Sequence, residues 1–225
     1  MSITTSLGDL LSPDRVLTRP LDLAAYASDA SFYTLTPSAV VRPKDTAEIK
    51  ALCAWSRRER VPLTFRAAGT SLSGQAITNG VLVDVSRHWR ALAILDGGAR
   101  VRVGPGVVGG IVNAHLARHG AKLGPDPASI GACMIGGIVA NNSSGMCCGI
   151  EHNAYRTLES LRFVLPSGTE IDTAAGGAEE LFAAREPAIA RGLMELRSRI
   201  QGGPRLVERI RAKYRMKNTM GYALN

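Results

Sequence analysis

Arg66-Ala67-Ala68-Gly69-Thr70-Ser71-Leu72-Ser73-Gly74-Gln75 is the stretch on which the reading of this chain turns. Its small side chains leave the backbone N–H groups open to close approach, and Thr70, Ser71 and Ser73 add hydroxyl donors. A phosphate diester asks for that combination. A glycine-rich turn is also often only a turn, so the flanking sequence has to decide between the two.

Upstream, Val40-Val41 before Pro43 predicts a short strand, and Asp45 with Glu48 three residues later is a capping-box signal for a helix running to about Arg58. Ile49, Leu52 and Cys53 fall on one face of that helix, and Leu63 to Arg66 reads as the strand that enters the loop. Downstream, Val81-Leu82-Val83-Asp84-Val85 is nearly continuously apolar, as in a strand covered on both faces. Residues 37–90 therefore read as a first lobe. The preceding residues 1–36 show no sustained period beyond a short helix at Leu21 to Ala27, and read as a lead-in segment.

Residues 91–225 read as a second lobe. Ala91 to Leu95 and Arg100 to Val103 flank the turn Asp96-Gly97-Gly98 as a hairpin. A helix from Val107 to His119 carries Val108, Ile111, Val112 and Leu116 on one stripe and stops at Gly120, so His115 and His119 need no catalytic role. From Pro125 to Gly149 the density of Gly, Ser and Asn argues against one continuous core helix. A second hairpin is expected at Leu161 to Leu165 and Thr169 to Ile171, joined by Pro166-Ser167-Gly168, followed by a helix with Ile189, Leu193, Leu196 and Ile200 on one stripe before Gly202-Gly203-Pro204 breaks it.

Composition removes several classes. With 225 residues, 45% hydrophobic and 20% charged, the chain can bury one substantial core or two small ones. The net charge of +8 suggests nucleic acid, but the excess sits in Arg205, Arg209, Arg211, Lys213, Arg215 and Lys217, interleaved with Leu206, Val207, Ile210 and Tyr214 as on an ordinary helix, and aromatics for base stacking are few. The four cysteines, Cys53, Cys133, Cys147 and Cys148, lack the spacing of a metal knuckle, so no metal is expected; the adjacent pair reads as small buried residues beside a glycine turn rather than as a redox centre. Met1 to Leu11 has no basic start, long apolar run or cleavage site, so no leader and no membrane span are expected, and a cytoplasmic location is the default, with peripheral attachment at the inner membrane still open. No GxxxxGK followed by Ser or Thr occurs, and no GxGxxG opens a helix, which disfavours an ordinary ATPase or NAD enzyme.

The order of motifs resembles the FAD-binding half of the vanillyl-alcohol-oxidase type flavoprotein family. Val41-Arg42-Pro43, the Arg66 to Gly74 loop, Val83-Asp84, Gly104-Pro105-Gly106 and Gly124-Pro125-Asp126-Pro127-Ala128-Ser129 through Gly136-Gly137-Ile138-Val139-Ala140-Asn141-Asn142-Ser143-Ser144-Gly145 follow one another as in that family. Ala140 to Gly149 and the closing Lys213 to Tyr222 look like the large bacterial D-lactate or D-2-hydroxyglutarate dehydrogenases that add an iron-sulfur module. The resemblance implies an α+β chain, a PCMH-type FAD-binding fold of two α/β lobes with the C-terminal part of the domain missing. It also implies an FAD-dependent dehydrogenase of small 2-hydroxyacids, with an iron-sulfur module or an electron-acceptor protein as partner.

Carried onto this sequence, the resemblance places the FAD pyrophosphate on Arg66, Ala67, Ala68, Gly69, Thr70, Ser71, Leu72, Ser73, Gly74 and Gln75, and the adenine at Pro43. The ribityl chain and ring would be lined by Pro125, Asp126, Pro127, Ser129, Ile130, Gly131, Gly136, Gly137, Ala140, Asn141, Asn142, Ser144, Gly145, Gly149 and Asn153. Some relatives tether the flavin through a histidine in the first loop; Thr70 stands there in this chain, so FAD is expected to be non-covalent. The family's later Gly-Ser-Glu-Gly-Thr-Leu-Gly run and its substrate domain are absent before Asn225, which leaves the expected pocket open. No catalytic base can be nominated; His152, Lys217 and Asn218 are the nearest candidates, and structural hydrogen bonding is the plainer reading of each. Three outcomes follow for function: an enzyme, a flavin-binding subunit or fragment that needs another chain, or a fold unable to hold FAD by itself.

Overall fold

The computed structural model describes residues 3–217 and 224. In chain order the first half contains helix α1 (Ile3–Gly8), strand β1 (Val16–Leu17), helix α2 (Pro20–Ala25), strand β2 (Ala39–Val41), helix α3 (Thr46–Glu59), strand β3 (Leu63–Arg66) and strand β4 (Val81–Asp84). The strands form one sheet in the order β1-β2-β4-β3. β4 lies between β2 and β3 and runs parallel to both, with Val41 and Phe65 flanking Val83. A strand in that position is covered on both faces, and all four β4 residues are buried, as the unbroken apolar run requires.

Helix α3 is set at its start by polar contacts and along its length by packing. Asp45 accepts the Glu48 amide at 3.0 Å, while the Glu48 carboxylate reaches back to the Lys44 amide at 2.8 Å, one residue earlier than an ideal capping box. Ile49, Leu52, Cys53 and Trp55 face the sheet. The opening residues, expected as a lead-in segment, pack into this core. Leu7 and Leu11 are buried in the same cluster as Leu52, Trp55, Val81 and Val83, Ser6 accepts the Trp55 indole N–H at 3.0 Å, and Arg15 forms a two-pronged ion pair with Glu48. A six-residue helix and a two-residue strand are too short to give a period in sequence, and their partners lie some 40 residues away.

The second half begins with the hairpin β5 (Leu92–Leu95) and β6 (Arg100–Val103), antiparallel with Leu92 opposite Val103. It continues through helix α4 (Gly109–Leu116), helix α5 (Ile135–Ala140), helix α6 (Ala154–Thr157), the hairpin of β7 (Arg162–Val164) and β8 (Glu170–Asp172), and helices α7 (Ala178–Arg185), α8 (Pro187–Gln201) and α9 (Pro204–Lys213). Val107, Val112, Leu116, Cys133, Ile135 and Ile138 make a second buried cluster, packed against Leu92, Ile94, Val101 and Val103. The expected helices form, but their apolar stripes are not fully covered. Ile111 is exposed on α4, and the apolar stripe of α8 is uncovered among the described residues, with Ile189, Leu193 and Leu196 all exposed. The second hairpin also turns away from the second cluster. Val164 joins the first core, Lys50 pairs with Glu170 at 2.7 Å, and Arg57 donates to the Ser167 carbonyl at 3.2 Å.

The two clusters meet along the Val85 to Gly106 backbone. The Trp89 indole donates to the Pro43 carbonyl at 2.8 Å, and the Gly106 amide to the Trp89 carbonyl at 2.9 Å. A side chain at Gly106 would fall on the Val85 carbonyl, so glycine is required where these two backbone segments pass this close. No described helix is long and apolar enough to cross a membrane, and no group of three His, Cys, Asp or Glu side chains that could hold a metal is found among the described residues.

Candidate functional site

The loop that follows β3 is fixed from below and open at its tip. The Arg66 guanidinium turns under it and donates to the carbonyls of Tyr26 at 3.2 Å and Ser28 at 2.8 Å, stacked 5.4 Å from the centre of the Tyr26 ring. Ala30 donates to the Gly69 carbonyl at 3.0 Å. Gly69 has φ of 71°, and a Cβ there would come within 2.5 Å of that guanidinium. Gly74, φ 76°, lies 3.1 Å by the same measure from the Tyr33 ring. Ser71 accepts the Ser73 amide at 3.2 Å and bonds the Gln75 side chain, which shapes the turn, while Leu72 at the tip is 76% exposed. The amides of Thr70, Ser71 and Leu72 donate to no protein acceptor among the described residues. Small side chains, two left-handed glycines and unengaged amides are what a diphosphate cradle needs.

Beneath this base lies a polar cluster that the sequence did not reveal. Asp84, 2% exposed, accepts from the Tyr26 hydroxyl at 2.7 Å, the Ser86 amide at 2.8 Å and Arg42 Nε at 3.3 Å, and Arg42 also donates to the Tyr26 hydroxyl at 2.9 Å. Burial, and then the hydrogen bond to Asp84, push the Tyr26 phenol above its ordinary range. Tyr26 thus joins the sheet to the loop: its hydroxyl is held by β4, and its ring and carbonyl hold Arg66.

The second glycine-rich stretch is organised by close packing. Gly145 lies directly against Asp126, so that a Cβ at position 145 would fall on the Asp126 carboxyl and carbonyl oxygens. This joins Gly124 to Pro127 with Ala140 to Gly149. One carboxylate oxygen of Asp126, Oδ1, is buried with no hydrogen-bond partner, a group that a donor brought by a ligand would satisfy. Gly136 donates to the Pro105 carbonyl at 2.9 Å, and the Ser129 to Gly131 turn is held by Gly110 donating to Ile130 at 2.7 Å. Gly131 and Gly137 face open space. Buried Cys148 accepts the Gly145 amide at 3.0 Å inside the turn, whereas its neighbour Cys147 is exposed, contrary to the expectation that both are buried.

Asn142, Ser144, Gly149 and Asn153, all expected site residues, line a cavity of about 50 Å³ together with Ile150, Arg156, Tyr214, Met216 and Lys217. Lys217 donates to the Gly145 carbonyl at 2.7 Å, which brings the end of α9 onto the loop. Asn153 caps α6 by accepting the Arg156 amide at 3.1 Å. Of the three residues considered nearest to substrate, Lys217 alone is placed at this cavity. His152 is exposed on a neighbouring turn and does not line it, and Asn218, with the rest of the closing motif through Tyr222, lies outside the described residues.

Other expected residues sit elsewhere. Pro43, expected at the adenine, is fully buried and has no exposed face, and Arg66 points into the base of its loop rather than outward. The first loop does not line the cavity. The two glycine stretches share a backbone spine instead: Arg66 accepts the Val85 amide at 3.0 Å, Val85 abuts Gly106, and Pro105 accepts Gly136.

Comparison with known proteins fits this geometry. The profile of the family described as FAD binding domain matches residues 37–174. The glycolate oxidase subunit GlcD of Escherichia coli is 40% identical over 130 residues, covering 56% of this chain and 26% of that protein. D-2-hydroxyglutarate dehydrogenase of Haemophilus influenzae is 32% identical over 164 residues, 71% of this chain and 16% of that protein. The chain thus spans about a quarter or less of these curated relatives. Among solved structures, an alkyldihydroxyacetonephosphate synthase superposes with a TM-score of 0.64 at 21% identity, covering 76% of this chain and 38% of that one. 6-Hydroxy-D-nicotine oxidase from Arthrobacter nicotinovorans gives 0.62 at 19% identity, with 76% and 38% covered. At such identities the likeness is one of fold.

Proposed function

The chain belongs to the FAD binding domain family and its cofactor is FAD, and from that premise we propose that it is the flavin-holding part of an oxidoreductase that converts a D-2-hydroxyacid, such as D-lactate or D-2-hydroxyglutarate, to the 2-oxoacid. The observation that carries the reading is the loop after β3, with its stapled base and its unengaged amides at Thr70, Ser71 and Leu72. These amides hold the diphosphate. Pro127, Gly131, Gly136, Gly137 and Ala140 to Gly145 border the ribityl chain and ring, where backbone rather than side chains sets the distance of approach. The kind of substrate is supported by the relatives' names, since glycolate and 2-hydroxyglutarate are both 2-hydroxyacids.

FAD, when bound, supplies the acceptor for the hydride leaving C2 of the acid. The chain's own residues bind and orient. Lys217, engaged as a donor to Gly145, is unsuited to removing the hydroxyl proton, and exposed His152 stands off the cavity, so neither is assigned as the base. With Thr70 rather than a histidine in the first loop, the cofactor is held without a covalent bond. An iron-sulfur module or another electron-acceptor protein is the partner that would take electrons onward.

A second reading is a non-catalytic flavin-binding subunit or fragment that requires another chain. It is favoured by one observation: GlcD is named as a subunit, and this chain covers 26% of it. Purified protein should be yellow and release FAD on denaturation, leaving no fluorescent band in a denaturing gel. Bleaching of the flavin by D-lactate or D-2-hydroxyglutarate under anaerobic conditions supports the enzyme; a yellow protein that neither acid bleaches supports the subunit. Failure of the folded chain to take up added FAD would refute the cradle.

A further inference from the structure

The cavity between α6 and the end of α9 is lined by hydrogen-bond donors whose acceptors are already engaged. Arg156 and Lys217 stand in its wall, no Asp or Glu does, and neither cation makes an ion pair among the described residues. The oxygens that could have met them have other partners. Asn142 Oδ1 accepts the Tyr155 amide at 2.9 Å, Asn153 Oδ1 accepts the Arg156 amide at 3.1 Å, and the Gly145 carbonyl takes one Lys217 proton. What remains for an occupant is the Arg156 guanidinium, the other two ammonium protons of Lys217, the Asn142 amide protons and the Ser144 hydroxyl. Ile150 and Met216 add an apolar flank. A pocket with two positive charges and a surplus of donors selects an anion.

Size narrows the choice. At roughly 10–15 Å³ per water-sized group, a cavity of about 50 Å³ accepts a carboxylate with its α-carbon. We propose that this cavity is an oxyanion site for the carboxylate of a small 2-hydroxyacid, with Arg156 and Lys217 as the charged pair and Ser144 and Asn142 as neutral donors. The hydroxyacid identity rests on the function proposed above; the preference for an anion rests on the lining alone. Arg156 thereby gains a role that no motif in the sequence pointed to, and Lys217 becomes a binding residue rather than a base. Its bond to Gly145 ties the anion site to the turn that packs on Asp126.

Calorimetric titration of the full chain, with and without FAD, tests the assignment. Glycolate, D-lactate and D-2-hydroxyglutarate are compared with inorganic phosphate and pyrophosphate. Saturable binding of one carboxylate per chain is expected, weakened about tenfold or more by Arg156→Gln and by Lys217→Gln, with circular dichroism and FAD affinity unchanged. Arg156→Lys, which keeps the charge and loses the planar fork, should recover part of the affinity. Ser144→Ala should weaken binding less than either charge removal, and it keeps the question readable if a charge variant misfolds. Pyrophosphate binding in preference to the carboxylates, together with weaker FAD binding by Arg156→Gln, would assign the oxyanion to the cofactor and overturn the proposal. So would the absence of saturable carboxylate binding by the folded wild-type chain. Carboxylate binding by a chain that takes up no FAD would uphold the cavity while refuting the flavin reading, so the two failures are distinct.

Discussion

The two glycine-rich stretches reach open backbone by opposite means. From Arg66 to Gln75 the loop is held at its base by one long side chain, Arg66, and by a tyrosine anchored to a buried aspartate, while its tip makes few contacts. From Gly124 to Gly149 the backbone is held largely by backbone, and at Gly124, Gly136 and Gly145 something lies where a side chain would be. The first arrangement tolerates a shift of the loop so long as its anchor holds. The second tolerates almost none.

Adding one methyl group separates the two most sharply. Gly145→Ala should destabilise the fold by about 3 kcal/mol or more, because its Cβ meets a main-chain oxygen that has nowhere to go; adding Asp126→Ala should not rescue it, since the Asp126 carbonyl remains. Urea denaturation measures both, and a cost under about 1 kcal/mol would show that the second stretch is as pliable as the first. The corresponding change in the first loop, Gly69→Ala, meets a side chain, the Arg66 guanidinium, rather than a main-chain oxygen, and a left-handed backbone, for about 1–2 kcal/mol. Its larger effect should be on FAD affinity, read by quenching of flavin fluorescence.

Between these lies the anchor itself. Asp84→Asn leaves Arg42 without its charged partner and should cost about 2–3 kcal/mol, with FAD binding weakened along with it and the carboxylate site untouched. Equal loss at both sites would mean that the two stretches act as one unit.

The smallest effects are those of pH. Because the Tyr26 phenol is raised in the folded state, its contribution is fully present below the unfolded value of about 10 and is lost as pH rises through the higher folded value. Tyr26→Phe should therefore cost about 1 kcal/mol at neutral pH and flatten the alkaline limb of the melting-temperature profile. Glu48 behaves oppositely. Burial opposes its ionisation, but Arg15 and the Lys44 amide outweigh it and hold the carboxyl below its usual range. That stability is present above about 4.3 and is lost as pH falls through the folded value, so Glu48→Gln should remove part of the acid limb and leave the alkaline one alone.

What could be read from the sequence follows from how local each feature is. The strand, helix and strand from Ala39 to Arg66 were legible because capping, periodicity and the apolar run at Val81 to Asp84 all act within a few residues. The integration of Leu7 and Leu11 into the core was not, because nothing in an eleven-residue stretch says that Trp55 lies opposite. Tyr26 meets Asp84 across 58 positions, and Lys217 meets Gly145 across 72. Glycine content marked both stretches as special without saying which glycines face a ligand and which face protein. Arg156 had no signal of its own: an arginine in the first turn after an asparagine cap looks like any solvated helix residue until the fold brings it to the same cavity as Tyr214 and Lys217.

The staple beneath the first loop also bears on kinetics. Since Arg66 is tied to the Tyr26 and Ser28 carbonyls by protein contacts alone, the loop proposed to hold the diphosphate would need no folding step between encounter and capture. Stopped-flow mixing with FAD should give an association rate that rises linearly with concentration, and differences among loop variants should appear as altered residence times. A rate that levels off at high FAD would reveal a loop that has to order first.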